Sequence, residues 1–100
     1  MQPITELINE YLAYCKSPKK LDKKTIKAYR IDLAQFIRFS SSFDSPFSID
    51  CIREHIKYLQ STFVSSTSKR KIASVKAFFF YLEEMKILPI EKNPFHLIKM

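Results

Sequence analysis

The sequence predicts an all-α protein, a small bundle of four to five helices, and three observations carry that prediction. The 100 residues contain no glycine, where an average chain holds about seven per hundred. That excludes the glycine-rich loops that cradle nucleotide phosphates, and it argues against tight β-hairpins, whose turns want glycine at positive φ. Apolar residues recur at spacings of three and four along most of the chain, the period of a core-facing helix. No extended stretch is longer than the Phe63-Val64 pair, and no segment repeats another. With 46% apolar and 27% charged residues, the composition is that of a globular domain and the length that of one.

The first helix is expected from about Ile4 to Cys15, with Ile4, Leu7, Ile8, Tyr11 and Leu12 on one stripe, and Pro18 among its lysines ends it. The second runs from about Lys23 to Phe39, its stripe Ile26, Tyr29, Leu33, Phe36 and Ile37, with Asp22 placed to cap the free amides. A loop of Ser, Asp and Pro, Ser40 to Phe47, precedes a third helix from about Ile49 to Gln60, capped by Ser48 and buried through Ile52, Ile56 and Leu59. A polar stretch, Ser61 to Ser66, leads to the fourth, about Thr67 to Met85, with Ile72, Val75, Phe78, Phe79 and Leu82 inward. Pro89 and Asn93-Pro94 break the helical pattern beyond Met85, and Phe95 to Met100 has room for one more turn.

Seventeen Lys/Arg against ten Asp/Glu give a net charge of +7. From Lys16 to Arg38 there are eight basic residues and two acids, and from Lys69 to Lys76 four basic residues and no acid. The rest of the chain is slightly acidic, so the excess is concentrated in two segments. Localised positive charge implies an anionic partner.

On the second helix Lys23, Lys27, Arg30, Ala34 and Arg38 form a stripe of their own, with Lys24 beside it. On the fourth, Lys69, Ala73, Lys76 and Ala77 share a face, flanked by Arg70 and Lys71. Cations at a helix start oppose the macrodipole, yet amides and cations together there suit phosphate groups. The hydroxyls of Thr25, Ser66, Thr67 and Ser68 can donate to phosphate oxygens, and Ala28, Ala34, Ala73 and Ala77 leave a flat surface able to approach a major groove. The partner is nucleic acid, an acidic membrane or an acidic protein; on the nucleic-acid reading the candidate contacts are Lys23, Lys24, Thr25, Lys27, Arg30, Ser66, Thr67, Ser68, Lys69, Arg70, Lys71 and Lys76.

Thr25 to Phe36 resembles the T-x-x-x-Y-x-x-D-L-x-x-F pattern of the core-binding domain of tyrosine recombinases of the phage-integrase type. Thr67 to Leu82 is similar to the second signature of that domain, a basic residue before a hydrophobic and small string closing on Phe78-Phe79. Asn93-Pro94 resembles the Asn-Pro that closes the domain. The resemblance implies a four-helix, SAM-like bundle that binds half of a recombination site, its second and fourth helices facing the major groove. It also implies a separate catalytic domain that completes a clamp, and contacts with other recombinase protomers in a synaptic complex. Tyr29, Leu33, Phe36, Phe78 and Phe79 are then core, and Asp32 pairs with a basic residue or caps a backbone group. Where the family often has glycine after the fourth helix, this chain has Met85-Lys86, so that turn is expected to close differently. The chain stops at Met100, about where the catalytic half would begin, and is expected to be a fragment without it or a stand-alone domain.

Other chemistry is weaker. Phosphoryl transfer to a tyrosine needs cations clustered on the reacting phosphate, and the chain has no H-x-x-R. Cys51 and His55 are four apart, a spacing able to chelate zinc, but the partners would have to be Cys15 and His96 from distant helices. A buried thiol beside a partly exposed histidine is the plainer expectation, and no metal or cofactor is expected. Glu83-Glu84 reads as a solvated helix end. No apolar run approaches the ~20 residues of a membrane span. Met1 to Asn9 lacks the form of a signal peptide, and two cysteines read as reduced thiols in the cytoplasm.

The leading functional expectation is sequence-specific binding of double-stranded DNA in site-specific recombination. The alternative is a helical interaction module gripping an acidic protein, with the first helix and aromatics at Phe43 and Phe47 as its contacts. Peripheral membrane binding through the second helix is a third and weaker reading, because its aromatic stripe fits a folded core equally well.

Overall fold

Four helices form where the periodicity places them. In the computed structural model, which describes residues 2–99, they are α1 (Ile4–Lys16), α2 (Lys23–Ser40), α3 (Ile49–Thr62) and α4 (Ser65–Glu84). Helix α4 packs against α2 and α3, and α1 lies on α2 and α4. Two 3₁₀ turns, Ile90–Lys92 and Pro94–His96, complete the chain, and no strand occurs among the described residues. The second turn replaces the one expected over Phe95 to Met100, because the Asn93 side chain accepts the Phe95 amide at 3.1 Å and starts it early. Met100 lies outside the described residues.

The expected stripes are the buried ones. Leu7, Ile8, Tyr11 and Leu12 of α1, Leu33 and Phe36 of α2, Ile52, Ile56 and Leu59 of α3, and Ile72, Val75, Phe78, Phe79 and Leu82 of α4 form one core. Ile4, Ile26, Tyr29 and Ile37 pack at its margin, half-buried. Phe79 meets Phe36 and Phe78 edge-on, with both pairs of ring centroids 5.9 Å apart. Each such pair contributes about 0.5–1.5 kcal/mol beyond the area it buries. Phe43 and Phe47 belong to this arrangement and are not free contact surfaces, contrary to the sequence expectation. Phe43 stacks on Phe39 at 5.6 Å, and Phe47 lies 5.5 Å from Phe79.

The helix starts divide. Ser48 caps α3 as expected, its hydroxyl accepting the Cys51 amide at 3.1 Å. Asp22 occupies the corresponding place before α2, but its side chain makes no capping bond. The residue is exposed, and only its backbone carbonyl engages the helix, accepting from the Ile26 amide. Nor does any side chain cap α4, which begins after Val64. The polar stretch expected over Ser61 to Ser66 is mostly helical. Ser61 donates to the Tyr58 carbonyl and Ser68 to the Ser65 carbonyl, so these hydroxyls bond back into their own helices instead of competing with them.

The turn after α4 closes as a glycine turn would, without glycine. Lys86 sits at φ 59°, its amide reaching the Glu83 carbonyl at 3.0 Å and the Ile87 amide reaching Leu82 at 2.9 Å. These two bonds are the paired Schellman closure of a helix end. A side chain in the left-handed region costs about 1–2 kcal/mol, partly offset by its smaller entropy in the unfolded chain. Lys86→Gly is therefore expected to raise stability by about 0.5–1 kcal/mol, read as a higher urea midpoint. Lys86→Ala keeps the Cβ and should leave the midpoint where it is.

Candidate nucleic-acid interface

The basic stripe of α2 faces outward. Lys23, Lys24, Lys27 and Arg30 are exposed and Thr25 is half-buried. On α4, Ser66, Lys69, Arg70 and Lys76 are exposed and Thr67 is half-buried. The two segments meet: Lys24, Lys27, Ala28 and Ile31 of α2 line one open hollow of about 220 Å³ together with Arg70 of α4. Farther along α4, the Lys76 Nζ stands 6.0 Å from the centroid of the Phe80 ring.

A buried carboxylate joins the two helices behind this face. The Asp32 side chain is fully buried, and Arg70 Nη1 reaches its Oδ2 at 2.5 Å while Lys71 Nζ reaches Oδ1 at 3.0 Å. The Ser74 hydroxyl donates to Oδ2 at 2.7 Å. Asp32 thus pairs with basic residues, as the pattern resemblance implied. Two of the expected contact residues are withdrawn from the surface, one of them by this network. Lys71 is buried, with its ammonium on Asp32 and 4.9 Å from the Phe63 ring centroid. It adjoins the other cations in sequence but falls on the inward side of α4, where the carboxylate compensates its charge. Ser68 is also buried, its hydroxyl spent on the Ser65 carbonyl. Arg70 is held at one end and keeps 47% of its side chain exposed.

Ile31 of the hollow was not among the expected contacts, and Ala28 was expected only as part of a flat surface. Ile31 lies 53% exposed, and Ala28 lies beside it in the wall of the hollow. A signal was present for Ile31, since it falls off the apolar stripe of its helix.

Elsewhere the side chains are arranged for packing. His55 is buried, not partly exposed, because Phe36 and Phe39 stand 5.1 Å and 4.9 Å from its ring. Burial, with a smaller contribution from Lys71, pushes its pKa down to about 4. Cys15 and Cys51 are free and buried, and burial raises the Cys51 thiol to about 11. No group of three or more potential metal ligands occurs among the described residues. Burial also raises the Tyr11 and Tyr81 phenols, the reverse of what activates a nucleophile. Glu83 is not a solvated helix end. It accepts from Asn93 Nδ2 at 3.1 Å and pairs with His96 Nε2 at 2.6 Å, which ties the end of the chain to α4. Burial alone would raise this carboxyl, but the bonds from His96 and Asn93 outweigh it and hold the group below its usual value. No described helix is long and apolar enough to cross a membrane.

Fold and site together define a small basic helical module in which Lys24, Lys27 and Arg70 line one hollow where two helices meet. Residues 8–86 match the family model of the phage integrase N-terminal SAM-like domain, and the chain belongs to that family. It is 44% identical over 95 residues to a tyrosine recombinase of Agathobacter rectalis, covering 93% of this chain and 30% of that protein. Against the tyrosine recombinase XerC of Herpetosiphon aurantiacus the identity is 33% over 81 residues, covering 76% of this chain and 26% of the relative. Against that of a Roseiflexus species it is 32% over 91 residues, covering 86% and 29%. The chain therefore spans about a third or less of the length of these relatives. No solved structure gives a significant match.

Proposed function

We propose that this chain is the core-binding domain of a site-specific tyrosine recombinase, and that it lays the shared face of α2 and α4 against double-stranded DNA. One observation carries the reading: Lys24 and Lys27 line the same hollow as Arg70 of a different helix. Two cationic stripes on opposite flanks could not serve one duplex, whereas a joint face presents charge to phosphates on both sides of a groove. The starts of α2 and α4 add backbone amides that no side chain caps, and such amides favour anions. The contacts are Lys23, Lys24, Thr25, Lys27, Arg30, Ser66, Thr67, Lys69, Arg70 and Lys76. Duplex DNA, a catalytic domain closing the other side, and further protomers of the recombinase are the partners, in the cytoplasm. Reaction chemistry belongs to that catalytic domain.

Affinity on this reading comes largely from counterion release. With about four to six phosphates neutralised, log K should fall against log salt with a slope of roughly −4 to −5. Lys27→Glu combined with Lys76→Glu should flatten the slope by about 2 and weaken binding roughly 100-fold near 0.1 M salt. Gel shift or fluorescence anisotropy with a labelled duplex reads both quantities. Affinity indifferent to salt, or heparin binding as well as duplex, would overturn the reading in favour of an acidic protein partner. That alternative has lost two of its expected contacts, since Phe43 and Phe47 pack into the molecule.

A further inference from the structure

We infer that Ile31 reads the C5 methyl group of thymine in the major groove, and so contributes to the sequence preference of this domain. The inference rests on the DNA-binding reading above and adds a base contact to it. Ile31 is a large apolar side chain, 53% exposed, and outside the core. An isolated exposed isoleucine needs no explanation; its setting does. It shares its hollow with Lys24, Lys27, Ala28 and Arg70, so an apolar spot is ringed by cations that water must solvate. An apolar protein partner would have to bury those charges unpaired, at high cost. A duplex instead supplies phosphates to the cations and presents groove floor between them. Along that floor thymine offers a methyl group, which an apolar side chain contacts directly. Ala28 carries nothing beyond Cβ, so it lets the helix approach closely. The other large exposed apolar residues, Tyr58, Val64, Met85, Ile90 and Leu97, are outside this hollow.

Replacing thymidine by deoxyuridine removes that methyl and leaves the hydrogen-bonding edges intact. The test titrates the full chain against an alternating adenine–thymine duplex and its adenine–uracil counterpart. Burying one methyl predicts about a 4-fold preference for the thymine duplex. Ile31→Asn should bind both duplexes alike with an unchanged salt slope, and Ile31→Val should keep the preference. Because Ile31 is exposed, both variants should melt with the wild type. Equal affinity of the wild type for the two duplexes, or a preference surviving in Ile31→Asn, would overturn the inference while leaving the DNA reading intact. Binding to neither duplex, or binding without salt dependence, would overturn both.

Discussion

Asp32→Asn is expected to cost the fold about 3–5 kcal/mol, the usual loss when one partner of a buried ion pair is removed. The carboxylate is fully buried, and it faces two cations and a hydroxyl donor. Asparagine keeps the size and removes the charge. Arg70, half exposed, can turn to water. Lys71 cannot, because only 9% of its side chain is exposed, so its ammonium is left in the interior without a counter-charge. A domain of this size has roughly 5–15 kcal/mol in all, and the variant should be near its unfolding threshold at 37 °C. Lys71→Met in the Asp32→Asn background removes the stranded ammonium and should recover at least half of the loss, since apolar replacements of buried pairs are often neutral. Urea melts of the wild type, the single variant and the double variant measure this. A single variant within about 1 kcal/mol of wild type would mean that Lys71 reaches water by another route.

On the proposed DNA-binding reading, the same residue also shapes the contact face. Asp32 holds Arg70 at the edge of the hollow and ties α2 to α4, so it positions the basic face without itself reaching solvent. That arrangement marks the boundary of what could be read from sequence. Helix order and the core stripes were legible, because the spacing of Leu, Ile and Phe fixes which side of each helix turns inward. Concentration of cations on two helices was legible from counting. Which of those cations reach solvent was not. Lys69, Arg70 and Lys71 are consecutive and alike in sequence, yet only Lys71 is buried, and the cause is a carboxylate on another helix. The serines around Val64 misled for a related reason, since a hydroxyl marks a loop or bonds back into a helix according to contacts that periodicity does not contain. Lys86 in the left-handed region was hidden by its side chain, which gives no sign of the backbone angle that the helix end imposes.

The second large effect is on pH dependence, and it comes from His55. Its Nδ1 has no hydrogen-bond partner, and the ring sits among Phe36, Phe39 and Tyr58, with the charge of Lys71 also acting on it. Burial first, and Lys71 second, lower its pKa from 6.5 to about 4. The folded protein therefore binds this proton less readily than the unfolded chain. The resulting stability is fully present above the unfolded value and is lost as pH falls from about 6.5 towards 4. A separation of that size is worth about 3 kcal/mol, roughly 2 of it lost between pH 7 and pH 5. Ordinary carboxylates contribute little until pH falls below about 5, so the upper part of this limb belongs to the histidine. His55→Phe keeps a ring against Phe36 and Phe39 and removes the titration. Overpacking by the larger ring can cost about 1–3 kcal/mol at every pH, so the diagnostic quantity is the slope. Urea midpoints of the variant should stay level from pH 7 to pH 5 while those of the wild type fall. Parallel curves would show that His55 gains its proton in the folded state as easily as in the unfolded chain, and that the packing around its ring opens to water.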